Sequence, residues 1–125
     1  MPVFNGENYI ADAIESVLAQ TFQDFELVIA DNASTDATES ICRAYAARDF
    51  RIRYYRNACN RGAGYNYELV YRLSSPTDYF KWLAHDDRIA PTFLAKAVAA
   101  LDADPAAVLC NSLVQVIDDR GEEIR

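Results

Sequence analysis

Apolar positions along the chain repeat with two different periods, which predict helices and strands in alternation. Five apolar residues between Ile10 and Leu18 recur at the i, i+3, i+4, i+7 and i+8 spacing of a helix with one buried face. The apolar run 25–30 is short and continuous, as in a buried strand of a parallel sheet. By these criteria and by turn and capping residues, strands are predicted at 2–4, 25–30, 52–56, 79–84 and 107–118, and helices at 7–20, 34–48, 64–73 and 91–104. The alternation predicts an α/β fold that is Rossmann-like, with a mainly parallel sheet flanked by helices.

The same pattern indicates which side chains should be buried. The second and fourth helices each have one apolar face, formed by Ile41, Ala44 and Tyr45 in the second and by Phe93, Leu94, Ala97, Val98 and Leu101 in the fourth. The aromatic side chains are expected to pack in or near the core, at 50–55, 65–71 and 79–82.

Both ends of the chain are short for the elements they should complete. The 125 residues are about one domain in length. The first strand has about three residues before the turn Asn5-Gly6, against a usual five or six. A hairpin turn at 119–122 is followed by only the beginning of a return strand. We therefore expect residues 1–125 to be a truncated domain of a longer protein.

The charge balance narrows the classes of partner. The formal net charge is −7, which argues against a nucleic-acid binder and against binding to anionic membranes, because both need clustered Lys and Arg. No apolar stretch is long enough to span a bilayer, and the residues at the start of the chain lead us to expect no signal peptide. Carboxylates that face a diphosphate repel it unless a cation lies between them. A nucleotide ligand would therefore imply a divalent metal.

The three cysteines show neither a disulfide framework nor the spacing of a metal site. Cys42, Cys59 and Cys110 have no CxxC or Cys/His pattern, so we expect buried or half-buried free thiols. Unpaired thiols fit a reducing cytoplasm.

Polar clusters follow three of the predicted strands at the point where each strand ends. The segment 31–36 follows the strand 25–30, the segment 57–62 follows the strand 52–56, and His85-Asp86-Asp87 follows the strand 79–84. In open α/β sheets, ligands bind outside the carboxyl ends of the strands. Carboxylates gathered at this edge suit a metal and a phosphorylated ligand.

Each cluster also has a simpler interpretation. Asp86 and Asp87 suit Mg²⁺ or Mn²⁺, which bind through one or two carboxylates plus substrate phosphates, but two acids before a helix can also cap it. Asp31 could accept from a base N–H or a ribose hydroxyl, whereas the residues 34–36 are better explained as helix caps. His85, the only histidine, is a weak candidate for a ligand or base.

The loop 60–66 is the third cluster. Its small residues allow a ligand to approach the backbone, and Arg61 could hold a phosphate through two hydrogen bonds. It is not a P-loop, because the GKT or GKS ending is missing, and a plain turn is the alternative.

Taken together, the chain resembles the nucleotide-binding part of a family 2 glycosyltransferase, the large inverting family with the A-type glycosyltransferase fold. The resemblance covers nearly all of the chain in order and spacing. It is carried by 2–7, 13–22, 25–36, Asn60-Arg61-Gly62 with Asn66, and 83–87 with Pro91.

The resemblance implies transfer of a sugar from a nucleotide diphosphate sugar to an acceptor, with Mg²⁺ or Mn²⁺ as cofactor. The donor would be UDP-linked by default, with dTDP and GDP open. The acceptor would be a polysaccharide, a lipid-linked glycan or a protein, which suggests polysaccharide biosynthesis for the cell envelope. The residues implied in nucleotide binding are Pro2, Val3, Phe4, Asn5, Asp31, Asn32, Arg61, Gly62 and Asp86, and those implied in metal binding are Asp86 and Asp87.

Two features depart from the family pattern. Members often have Asp-x-Asp-Asp at the metal motif, whereas this chain has Ala84 and His85 at the first two positions, so Asp86 must carry more of the metal binding. The pair Asp31-Asn32 replaces a common Asp-Asp.

An inverting transfer also needs a general base. In this family that base comes from a later region, so no residue here is assigned as the catalytic base.

Three alternatives stay open on sequence grounds. A sugar nucleotidyltransferase would use a Gly-rich basic loop near the start, where this chain has Asn5-Gly6-Glu7. A receiver-type regulatory domain would need an acidic pair after the first strand and a Lys after a late strand. A degenerate nucleotide-binding or assembly domain is consistent with Ala84. A homo-oligomer stays open. The expected location is the cytoplasm, or the inner face of the membrane if the chain is part of a longer protein.

Overall fold

A three-stranded parallel sheet organises the computed structural model, which describes residues 1–124. Its strands are β1 (Pro2–Val3), β2 (Leu27–Asp31) and β3 (Ile52–Arg56), with β2 in the centre. The register pairs Val3 with Asp31 and Asp31 with Arg56. The carboxyl ends of all three strands therefore lie side by side at one edge, which is the edge where α/β folds bind ligands.

Four helices complete the architecture: α1 (Ile10–Leu18), α2 (Thr38–Ala46), α3 (Ala63–Leu73) and α4 (Phe93–Ala103). The order β-α-β-α-β-α-α with parallel pairing confirms the predicted α/β class and parallel sheet. Helix α4 begins two residues after Pro91, whose carbonyl accepts a hydrogen bond from the Thr21 amide (2.8 Å). None of the helices within residues 1–124 has the length and apolar character of a membrane span.

The core lies between β2 and α1. All five residues of β2 are buried, which explains its continuous apolar run. Helix α1 buries Ile10, Ala13, Ile14 and Val17, four of the residues whose spacing predicted it. Cys42 of α2 and Leu83 pack against the same cluster.

The predicted strands 79–84 and 107–118 are wrong. Residues 79–84 lie in irregular chain, and the later segment forms only an isolated bridge between Ile117 and Glu123. A strand forms only where its backbone can pair with a neighbouring strand. Strand β1, at one edge of the sheet, has only two residues with which another strand could pair. Leu83 is still buried, so the segment 79–84 docks on the core through a side chain and not through a sheet ladder.

Several burial predictions also need correction. No residue of α4 is fully buried, but its predicted apolar face is half-buried; in α2, Ala44 is exposed, while Ile41 and Tyr45 are half-buried. Of the aromatic side chains expected near the core, Tyr54 packs against it, but most others are exposed: Phe50 is 95% exposed and Tyr71 is 59% exposed. The rings of Tyr71, Phe80 and Trp82 pack edge to face or tilted on each other at the surface instead.

Candidate functional site

Loops that follow the three strands meet at the carboxyl edge of the sheet; we call this region the strand-end site. It comprises residues 4–7 after β1, 31–38 after β2 and 57–62 after β3. His85 reaches the same place, because a Cβ added at Gly6 would lie 2.5 Å from His85 Cδ2. The structure therefore brings the sequence-predicted clusters 31–36 and 57–62 together at the ends of parallel strands, as expected, whereas His85 reaches the site from irregular chain.

Hydrogen bonds tie the first loop to the second. The Asn5 amide donates to Ser34 Oγ (2.9 Å), and the Thr35 amide donates back to Asn5 Oδ1 (2.9 Å). The Gly6 amide donates to Thr38 Oγ1 (2.8 Å), a buried contact. Asn5 has a φ of 51°, which a non-glycine residue adopts only when its surroundings hold it there.

Two carboxylates join the start of α2 to the first loop through reciprocal hydrogen bonds. Asp36 accepts from the amides of Glu7 (3.0 Å) and Thr38 (3.0 Å), and Glu7 accepts from the Ala37 amide (2.9 Å). The N-cap position of α2 is Ala37 and carries no side-chain cap, so the prediction that residues 34–36 cap the helix is wrong in detail; Asp36 instead accepts from the first amide of the helix, from one residue before the cap. The carboxylates of Asp36 and Glu7 join the two loops.

Asp31 lies beneath the second loop. Its side chain is fully buried, and Oδ1 accepts from the Ser34 amide (2.8 Å) and Ser34 Oγ (2.6 Å). Oδ2 accepts from the Tyr54 hydroxyl (2.7 Å), and Arg56 Nε is 3.7 Å from it. Direct contact between Asp31 and a nucleotide would need this enclosure to open, and it stays a prediction.

Four asparagines connect the second and third loops. Asn57 Nδ2 donates to Asn32 Oδ1 (3.0 Å) and Asn66 Oδ1 (3.2 Å), and Asn32 Nδ2 donates to Asn60 Oδ1 (2.9 Å). Asn66 Nδ2 donates to the buried Ala30 carbonyl (2.7 Å). The sequence pattern placed Asn57 in the polar cluster 57–62 but assigned it no role, because the four side chains lie up to 34 positions apart along the chain and only the fold brings them together.

The third loop offers exposed groups to a ligand. Arg61 is exposed, and its guanidinium lies over the Tyr65 ring, 4.0 Å from the centroid. Its amide donates to Asn32 Oδ1 (3.0 Å), so the backbone of the loop is fixed while the side chain faces solvent. Gly62 precedes α3 with a φ of 85°, which favours glycine at this position.

The predicted nucleotide-binding residues divide into two sets by exposure. Pro2, Val3, Asp31 and Asn32 are buried and form the base of the strand-end site. Phe4, Asn5, Arg61, Gly62 and Asp86 are exposed.

Asp86 and Asp87 are the candidate metal ligands. Both are exposed, and Asp86 lies at the wall of a cavity of about 300 Å³ that Asp12, Arg88 and Asp118 also line. Within residues 1–124 no group of three His, Cys, Asp or Glu side chains is placed to hold a metal. Two adjacent carboxylates still fit a hard cation that takes its remaining oxygens from a diphosphate and water.

Burial and ion pairing set the electrostatics around β3. Burial, the hydrogen bond to Asp31 and the charge of that carboxylate raise the pKa of Tyr54. Burial also raises the pKa of the Cys42 thiol to about 12, so this thiol stays protonated. Hydrogen bonds from Arg43 and Arg56 lower the pKa of Glu39.

Cys42 is buried and Cys110 half-buried, as predicted for free thiols, but Cys59 is exposed.

Comparisons with known proteins agree with this geometry. A sequence model of glycosyl transferase family 2 matches residues 1–125. The putative glycosyltransferase EpsE of Bacillus subtilis is 34% identical over 123 residues, which cover 97% of this chain and 44% of that protein.

Two solved structures are similar in fold. S. aureus TarS 1–349 in complex with UDP-GlcNAc has a TM-score of 0.75 and 27% identity, covering 82% of this chain and 30% of that one. The mannosyltransferase PcManGT of Pyrobaculum calidifontis, in complex with GDP-Man and Mn²⁺, has a TM-score of 0.67 and 26% identity, covering 83% of this chain and 31% of that one. The chain thus spans less than half of each of these proteins, and it belongs to glycosyl transferase family 2.

Proposed function

We propose that this chain is the nucleotide-sugar-binding part of an inverting, metal-assisted glycosyltransferase. The observation that carries the proposal is the meeting of the three strand-end loops at the carboxyl edge of the sheet, with His85, the neighbour of Asp86, packed against Gly6 of the first loop, in a chain that matches the family over its whole length. The donor would be a nucleotide diphosphate sugar, and the acceptor a carbohydrate or a lipid-linked glycan. UDP is the first donor base to test, since TarS was solved with UDP-GlcNAc.

The exposed residues of the strand-end site would contact the nucleotide. Phe4 offers a ring, 43% exposed, on which a base could stack. The guanidinium of Arg61 faces solvent, where it could bind a phosphate of the ligand. Pro2, Val3, Asp31 and Asn32 would shape the site from beneath.

Asp86, with Asp87 beside it, would hold Mg²⁺ or Mn²⁺ against the diphosphate. The bound metal would neutralise charge on the leaving nucleotide and act as a Lewis acid. Such a cation would also offset the repulsion between these carboxylates and the diphosphate. Three unpaired cysteines fit a reducing compartment, so we place the reaction in the cytoplasm.

Thermal unfolding with nucleotides tests the proposal. The chain is melted with UDP, GDP, dTDP and CDP, each with and without Mn²⁺. A ligand at about 100 times its Kd stabilises the fold by roughly 2.7 kcal/mol, which shifts Tm by several degrees in a domain of this size. We expect a Mn²⁺-dependent shift for one nucleotide.

The matched variants are Asp86→Asn and Asp24→Asn. Both remove one negative charge from an exposed aspartate, but Asp24 lies before β2, at the opposite end of the sheet. We expect the Mn²⁺-dependent shift to vanish in Asp86→Asn and to persist in Asp24→Asn. Equal shifts in both variants would contradict the metal role of Asp86.

A degenerate domain is the second candidate, because Ala84 stands at the metal motif and no third metal-binding side chain is placed within residues 1–124. Such a domain would bind no nucleotide, or bind one without Mn²⁺ dependence. The same melting experiment therefore separates the two functions.

A further inference from the structure

Two non-glycine residues of the strand-end site have left-handed backbone. Asn5 has a φ of 51° and Ala33 a φ of 63°, and they lie in the loops after β1 and β2. Ala33 has no polar side chain that could stabilise this conformation locally. A strained loop of this kind persists only when surrounding contacts fix it.

A continuous chain of hydrogen bonds runs from β3 to these two loops. The Tyr54 hydroxyl donates to Asp31 Oδ2 (2.7 Å), and Asp31 Oδ1 accepts from the Ser34 amide (2.8 Å) and from Ser34 Oγ (2.6 Å). Ser34 Oγ accepts from the Asn5 amide (2.9 Å). Ala33 is thus held between Asp31 and Ser34, and Asn5 is held through Ser34.

Tyr54 is the donor on which the Asp31 carboxylate depends. Asp31 is fully buried, and the next group near Oδ2, Arg56 Nε, is 3.7 Å away, beyond hydrogen-bond distance. Arg56 also already donates to Glu39 (2.7 Å) and to the Ser34 carbonyl (2.8 Å). Without the hydroxyl, a buried carboxylate oxygen would lack its partner, so the carboxylate would turn and release Ser34.

We propose that Tyr54 is a positioning residue for the nucleotide-binding loops, acting through Asp31 and Ser34 on the backbone of Ala33 and Asn5. Its role in ligand binding rests on the proposed function, whereas its hold on the loops does not. Burial and the nearby carboxylate raise the pKa of Tyr54, which keeps the hydroxyl protonated as a donor.

A conservative pair of variants tests this role. Tyr54→Phe removes the hydroxyl and keeps the ring. Tyr45→Phe removes a hydroxyl that donates to a carboxylate at similar distance, Glu15 Oε1 at 2.6 Å, but this bond joins α2 to α1 and has no link to the loops. A general effect of losing a tyrosine–carboxylate hydrogen bond should appear in both variants. An effect on the loops should appear only in Tyr54→Phe.

The first readout is amide hydrogen exchange at Asn5, Ser34 and Thr35, measured without nucleotide. We expect exchange at Ser34 and Asn5 to accelerate about five- to tenfold in Tyr54→Phe, the effect of one hydrogen bond, and to stay unchanged in Tyr45→Phe. The second readout is the Kd for UDP with Mn²⁺, at a temperature where both variants are folded. We expect it to rise by a similar factor in Tyr54→Phe only.

The outcomes separate the two proposals. Unchanged loop exchange in Tyr54→Phe, or an equal change in Tyr45→Phe, overturns the positioning role. If the unmodified chain does not bind UDP, the donor proposal fails for UDP, but loop exchange still decides the positioning role. Should Tyr54→Phe not fold, Ser34→Ala interrupts the same chain one step later and should accelerate exchange at Asn5.

Discussion

At the scale of single residues, Gly6 shows how tightly the strand-end site is assembled. A Cβ at this position would lie 2.5 Å from His85 Cδ2 and 2.7 Å from Val3 Cγ2. Its amide also donates to the buried Thr38 Oγ1. The absence of a side chain thus lets the segment that carries Asp86 approach the end of β1.

Gly6→Ala should therefore destabilise the fold by about 1–3 kcal/mol, the cost of overpacking a filled space. Gly64→Ala is the matched control, because a Cβ there meets nothing within 4 Å and Ala favours helix α3. That variant should be neutral or more stable by up to about 1 kcal/mol. Urea unfolding measures both, and equal effects would show that His85 is not packed on Gly6.

At the scale of elements, one amide of α3 links the helix both to the sheet and to the strand-end site. Asn66 is 2% exposed, donates to the Ala30 carbonyl and accepts from Asn57 Nδ2. Through Asn57 the same side chain reaches Asn32 and the third loop. Helix α3 and the strand-end site are therefore fixed by the same bonds.

Asn66→Ala should lower the free energy of unfolding by about 1–3 kcal/mol, because the buried carbonyl of Ala30 loses the Asn66 side chain that donates to it. Asn111→Ala, at an exposed position in irregular chain, should change it by less than about 0.5 kcal/mol. Urea unfolding again gives the comparison. A loss below 0.5 kcal/mol in Asn66→Ala would mean that water replaces these bonds.

The elements also show which features a sequence can predict. The helices and strands β2 and β3 were predictable, because their periodicity and apolar runs are local signals. The strands 79–84 and 107–118 were predicted from similar runs, but neither joins the sheet at the edge strands β1 and β3, because pairing depends on contacts between distant segments and not on a local run. The strand-end clusters were visible because parallel strands end at one edge, whereas the roles of Asn57 and Tyr54 depend on contacts between distant segments.

At the scale of the whole molecule, the core is concentrated in the first part of the chain. Among residues 1–124, Leu83 is the one buried hydrophobic side chain after residue 73. In contrast, Leu113 is 100% exposed and Val108 is 96% exposed. The cooperative unfolding of the chain should therefore report mainly on the sheet, α1, α2 and α3.

A pH dependence of stability follows from the edge of this core. When the chain is prepared with a free amino group at Met1, that group donates to the Val28 carbonyl (2.6 Å), and burial lowers its pKa from 8.0 to about 5. Between pH 8 and pH 5 the unfolded chain binds a proton that the folded chain does not. The free energy of unfolding should therefore fall as the pH is lowered through this window, by on the order of 2–4 kcal/mol.

Urea unfolding at pH 5, 6, 7 and 8 measures how the free energy of unfolding changes with pH. Acetylation of the amino group provides the control, because an amide keeps an N–H donor but cannot take up the proton. We expect the acetylated chain to lose most of the slope. A slope that survives acetylation unchanged would contradict the role of the amino group.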